Sequence, residues 1–197
     1  VPIFRFLIPA FIAYLAVIII YNWRFLLSQK VFSYWLLLRL PIFLLFWFGL
    51  LFVIPFGFIR VVFLLASLPI IFFFETLIAN KGQQLAWNLF LLSLASLQLT
   101  LFGLSFYFPL HGLVYLLVDF VGILMLVRTA IDSVPQGNNV KWLAGLVLGL
   151  FAAELFWVLQ FLPLHFSVLA VISFMILYLA WAIYYHYLYQ TLTSKQI

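Results

Sequence analysis

The sequence predicts an all-α integral membrane protein, a bundle of seven transmembrane helices built from repeated two-helix hairpins. Three observations carry that expectation. The chain of 197 residues is 69% hydrophobic and only 7% charged, whereas a soluble domain carries about 25% charge. Its apolar runs reach the ~20 residues that a helix needs to cross a bilayer core of about 30 Å. The runs do not alternate polar and apolar residues, so they are not barrel strands, and helices are the remaining way to pair every backbone group in lipid. The third observation is a repeat. Phe48-Gly49-Leu50-Leu51-Phe52-Val53-Ile54-Pro55 returns as Phe102-Gly103-Leu104-Ser105-Phe106-Tyr107-Phe108-Pro109, and Pro109-Leu110-His111 returns as Pro163-Leu164-His165. Both returns come after about 54 residues, a period that fits a helical hairpin.

The expected spans, in order, are 3–21, 34–54, 56–78, 85–108, 109–131, 142–162 and 163–187. They form a single membrane domain with repeat units 1–54, 55–108 and 109–162 and a closing helix 163–189. Bare prolines at Pro55, Pro109 and Pro163 separate spans two and three, four and five, and six and seven. Proline suits the first turn of a helix, where its missing N–H has no partner to lose. The other breaks are polar: Tyr21 to Ser33, Asn80 to Gln84 and Asp132 to Lys141. They carry Arg24, Lys30, Lys81 and Lys141, and the tail carries Lys195. Positive charge favours the cytoplasmic side, which places the N-terminus outside and the C-terminus in the cytoplasm of a plasma or inner membrane. Arg5 opposes that assignment mildly. The first apolar run shows no small-residue cleavage site and is read as a retained span. Pro9, Pro41 and Pro69 lie inside spans one to three and are expected to bend them.

Small residues mark helix packing. Gly145, Gly149 and Ala153 form one ridge, and Ser93, Ser96, Thr100 and Gly103 another. Small side chains allow close helix approach in lipid, within the chain or at a dimer seam.

Two groups of polar residues are candidates for function. Gln98, Asp119 and Glu154 stand at similar distances from Pro109 and Pro163, near the bilayer middle. An ionised side chain at that depth costs at least about 2.5–3.5 kcal/mol on insertion scales. A proton or cation relay is one reading of the three, and a structural polar clamp between helices the other. Arg5, Arg60, His111 and His165 follow Pro2, Pro55, Pro109 and Pro163 closely. As basic or titratable groups at helix N-termini they are candidates to hold an anion or a lipid headgroup, against the alternative of snorkelling to the headgroup layer. His186, Arg128 and Glu75 read as interfacial.

No HExxH, GxSxG or phosphate-loop motif is present, so enzymatic chemistry is not expected. The absence of cysteine excludes disulfides and thiolate metal sites. No cofactor or metal is expected, and the dispersed basic residues do not form a nucleic-acid surface. Seven spans with an outer N-terminus resemble rhodopsins in topology alone, since span seven has no lysine for a retinal Schiff base. The expected partners are the bilayer, an anionic lipid, and a membrane protein or a second copy. The function that fits best is transport or binding of a small solute, ion or lipid. The alternative is a non-catalytic membrane subunit or sensor module that binds partner proteins.

Overall fold

The computed structural model describes residues 34–54, 58–108, 110–132 and 137–193, with isolated helical residues at 16 and 20. The described residues form five helices and no strand: α1 (Tyr34–Val53), α2 (Phe58–Tyr107), α3 (Gly112–Ala130), α4 (Asn138–Leu159) and α5 (Phe166–Thr193). Four stretches are long and apolar enough to cross a bilayer: Trp87–Tyr107, Gly112–Ala130, Asn138–Leu159 and Phe166–Tyr187. These four helices suggest an integral membrane protein. Their outward faces are as apolar as the core, with Leu113, Leu117, Val147 and Ile183 all more than half exposed. In water such faces would drive aggregation. In lipid they are solvated, and helices associate instead through close packing and hydrogen bonds.

The expected seven-span arrangement is not reproduced. Residues 3–21 lie outside the described residues, and so does Arg5. Spans 56–78 and 85–108 fall within one helical element, and the polar break at 80–84 keeps helical backbone. A single glycine costs a helix only about 1 kcal/mol, so Gly82 does not force a loop. Yet α2 is not straight. Trp47 Nε1 donates to Ser67 Oγ at 2.8 Å, while Thr100 Oγ1 donates to the carbonyl of the neighbouring residue, Phe46, at 3.3 Å. On a straight helix Ser67 and Thr100 would lie about 50 Å apart. The element therefore changes direction between these two positions, and α1 contacts one arm at Ser67 and the other at Thr100.

The second arm of α2, Trp87–Tyr107, is the centre of the molecule. It packs against α1, α3 and α5. Close approach to α1 depends on small residues: a Cβ at Gly49 would stand 2.6 Å from Thr100 Cγ2, and one at Gly103 would overlap Val53. Thr100 and Gly103 of the expected ridge thus face α1. Ser93 and Ser96 are buried and donate to carbonyls of their own helix, at Leu89 and Ser93. The α3–α4 pair uses the other ridge. A Cβ at Gly145 would come within 3.2 Å of the Leu124 carbonyl oxygen, and one at Gly149 within 2.9 Å of that of Phe120. The ridge continues through Ala152, which is fully buried, rather than through Ala153, which is half-buried.

Arg128, in the last turn of α3, is covered by its own chain. It is 4% exposed. Its guanidinium binds Asp132 Oδ1 at 2.9 Å and Asn138 Oδ1 at 2.8 Å, and Lys141 Nζ donates to the Asp132 carbonyl at 2.7 Å. These bonds tie the end of α3 to the start of α4, and a planar fork can hold both oxygens where a point charge cannot. Arg128→Met is expected to lower stability by about 1–2 kcal/mol, seen as an earlier unfolding midpoint in detergent, with α4 amides near Asn138 exchanging faster.

Candidate functional site

Near the middle of the four apolar helices a polar triad crosses three of them. Gln98 Nε2, from α2, donates to Asp119 Oδ1, from α3, at 2.9 Å. Ser173, from α5, donates to Gln98 Oε1 at 2.9 Å. All three residues are 0% exposed. Asp119 Oδ2 is buried with no hydrogen-bond partner among the described residues. A carboxylate with one oxygen unpartnered is a costly charge in so apolar a place. On the helix of Gln98, Ser93 and Ser96 bond their own backbone and Thr100 bonds the Phe46 carbonyl of α1. The hydroxyl that completes the triad comes from α5.

Glu154 is not part of this group. It stands on the exposed face of α4, while Ala152 and Phe156 beside it turn inward. Asp119 and Glu154 are at similar depth, about 8–11 Å from the same ends of their helices, but on opposite sides of the α3–α4 contact. The two carboxyls do not face each other across a polar cavity.

The end of the bundle at the 108–111 and 160–165 turns carries a second constellation. Helices α3 and α5 start at Gly112 and Phe166, three residues later than the prolines had implied. The delay has a local cause. Leu110 N–H donates to the Phe108 carbonyl and Leu164 N–H to that of Leu162, both at 2.8 Å, which closes a three-residue turn before each helix. The histidines then stand ahead of the first helical residue. His111 Nδ1 accepts from Leu113 N–H and His165 Nδ1 from Ser167 N–H, each at a long 3.4 Å. Ser167 Oγ also lies 2.8 Å from His165 Nδ1. An Nδ1 that accepts leaves the ring proton on Nε2, so each exposed ring offers an N–H donor outward. Arg60 lies at the start of α2, and its side chain is outside the described residues.

Between these turns is a cleft of about 420 Å³. Phe102, Phe106, Tyr115, Leu162, Phe166 and Leu169 line its apolar wall, with Ser105 and Gln160 as polar members. The lining includes none of Gln98, Asp119 and Ser173. Tyr115 donates its hydroxyl to the Leu104 or the Phe108 carbonyl, at 3.1 and 2.7 Å. Ser105 donates to the Phe102 carbonyl at 2.9 Å. Gln160, half-buried at the end of α4, completes the polar part of the lining. Both histidines flank the lining, His111 between Leu110 and Gly112, and His165 between Leu164 and Phe166. Comparison with family models, with characterised proteins and with solved structures finds no match. The site therefore rests on its own chemistry: a cleft that sets aromatic and leucine side chains beside Gln160 and Ser105, with two exposed histidines next to its lining, suits an amphiphile with a polar end. Among the described residues no group of three or more His, Cys, Asp or Glu stands together to hold a metal.

Ser173 and Gln160, among the polar members of these constellations, were not singled out from the sequence. Ser173 had a usable signal, since it follows Pro163 at the same distance as Asp119 follows Pro109. Gln160 had none beyond its place three residues before Pro163.

Proposed function

We propose that this chain is a multi-pass membrane protein that binds an anionic amphiphile, in the first instance a membrane lipid, in the cleft at the turn end of its bundle. The observation that carries the reading is the cleft itself, where Phe102, Phe106, Leu162, Phe166 and Leu169 stand beside the polar Ser105, Tyr115 and Gln160. The apolar wall takes the hydrocarbon, the amide holds the polar link, and His111 and His165 meet the headgroup beside two helix N-termini. The midplane triad is then a clamp that fixes three helices beneath the cleft. An ion relay has less support, because Glu154 stands apart from Asp119. With the basic loops in the cytoplasm, the cleft opens on the outer side of the membrane. A seven-span chain built on a 54-residue period belongs to the same proposal. The aligned positions of Asp119 and Ser173 favour it. So does the Phe102–Phe156 ring pair, 4.5 Å between centroids.

Gly112 provides the test. Gly112 lines the cleft and a Cβ there would meet only Trp157, at an ordinary 3.8 Å, so Gly112→Leu adds apolar bulk at the cleft wall from a position with room for its first carbon. Native mass spectrometry of protein titrated with phosphatidylglycerol or phosphatidylcholine is the measurement. Wild type is expected to retain phosphatidylglycerol preferentially, Gly112→Leu to retain at least fivefold less, and Gln160→Leu to fall between them. Equal retention by wild type and Gly112→Leu would remove the cleft as the site.

A further inference from the structure

Helix α4 has two faces with different tasks. Gly145 and Gly149 press one face against α3. On the other face Leu143, Val147, Leu150, Glu154 and Trp157 succeed one another at steps of four, three, four and three residues, and all are exposed. That spacing is the seam of a left-handed helix pair. The four apolar members are 62%, 57%, 57% and 46% exposed. A carboxyl stands inside this seam.

We infer that the exposed seam of α4 is the contact between two copies of this chain, with Glu154 meeting its own counterpart. The argument is one of complementarity. Leu146 and Phe151, beside the seam, are also apolar and exposed, so this face supplies no counter-charge for Glu154. A second carboxyl can take that place, because two carboxyls brought together can share a proton, the O–H of one donating to an oxygen of the other. In a pair of parallel helices related by a two-fold axis, each seam residue meets itself at the same depth. A second copy therefore brings the matching acid to the right level automatically. Polar residues at such seam positions set register and partner number. Facing lipid alone, the same group would be an expensive exposed acid. The inference does not rest on the lipid cleft.

The chain has no cysteine, which makes cross-linking decisive. Leu150→Cys and Leu143→Cys, each as the only cysteine and reconstituted in phosphatidylcholine vesicles, are expected to form disulfide dimers on mild oxidation. Leu179→Cys, 57% exposed on α5, is expected to yield at least tenfold less. Energy transfer between labelled copies reads association directly: Glu154→Leu should weaken it at least tenfold, and Glu154→Gln, whose amide is also self-complementary, should stay within about threefold of wild type. Glu154 is exposed, so neither change threatens the fold, and circular dichroism verifies that. Equal cross-linking at Leu150→Cys and Leu179→Cys, a monomeric wild type, or a Glu154→Leu protein that associates like wild type would each overturn the inference.

Discussion

Gln98→Leu is expected to lower the unfolding free energy by about 2–4 kcal/mol. Gln98 is the middle member of the triad, donating to Asp119 and accepting from Ser173. A hydrogen bond between membrane helices averages only about 0.6 kcal/mol, because the separated helices find other partners. The larger effect is on the residues left behind. Asp119 is already without a partner at Oδ2, and losing Gln98 strips Oδ1 as well. A buried group so abandoned costs about 1–3 kcal/mol, more when charged. Leucine matches glutamine closely in size, so no large cavity adds to the effect. The neighbours should respond unequally. Ser173→Ala is expected to cost no more than about 1 kcal/mol, since Gln98 keeps its bond to Asp119. The double change Gln98→Leu with Asp119→Leu is expected to recover most of the loss, because replacing both partners by apolar groups removes the orphan. Reversible unfolding in mixed micelles measures all of them. A double variant less stable than Gln98→Leu alone would show that the triad stabilises through something other than mutual satisfaction.

Gly149→Leu should cost about 3 kcal/mol, at the upper end of overpacking effects. The atom in its way is the Phe120 backbone oxygen, 2.9 Å from where a Cβ would stand. A side chain can rotate away from such a clash, but a helix carbonyl can yield only if α3 and α4 separate. Separation would also loosen the Arg128 bonds to Asn138 at the far end of the same pair. Gly149→Ala is expected to cost about 1 kcal/mol by the same contact. Gly137→Ala is the control, since a Cβ there meets nothing within 4 Å and only a modest N-cap preference, no more than about 1 kcal/mol, is lost. If Gly149→Leu unfolds with the wild-type midpoint, the helices are not in the close contact described.

Much of this molecule was legible before its structure. Composition and run length are enough for membrane helices, because a chain this apolar has no other way to pair its backbone in lipid. The small-residue ridges were legible too, since only glycine, alanine and serine let helix backbones meet. The course of α2 was less so. Asn80 to Gln84 reads as a loop by polarity, yet these residues belong to one helical element, Phe58–Tyr107. Polarity reports the environment of a segment, not its hydrogen bonding.

Depth along the membrane could be counted from the prolines, and it placed Gln98, Asp119 and Glu154 at one level. Direction could not be counted. Each residue turns a helix by about 100°, and helix rotation is set by packing against neighbours. The sequence by itself determined that Gln98, Asp119 and Glu154 stand at matching distances from the prolines and that glycines are available where helices meet. Only the tertiary structure decided that Asp119 points inward to Gln98 and Ser173 while Glu154 points outward. The reason is the contact of Gly145 and Gly149 with α3, which turns the opposite face of α4, and Glu154 with it, toward the membrane.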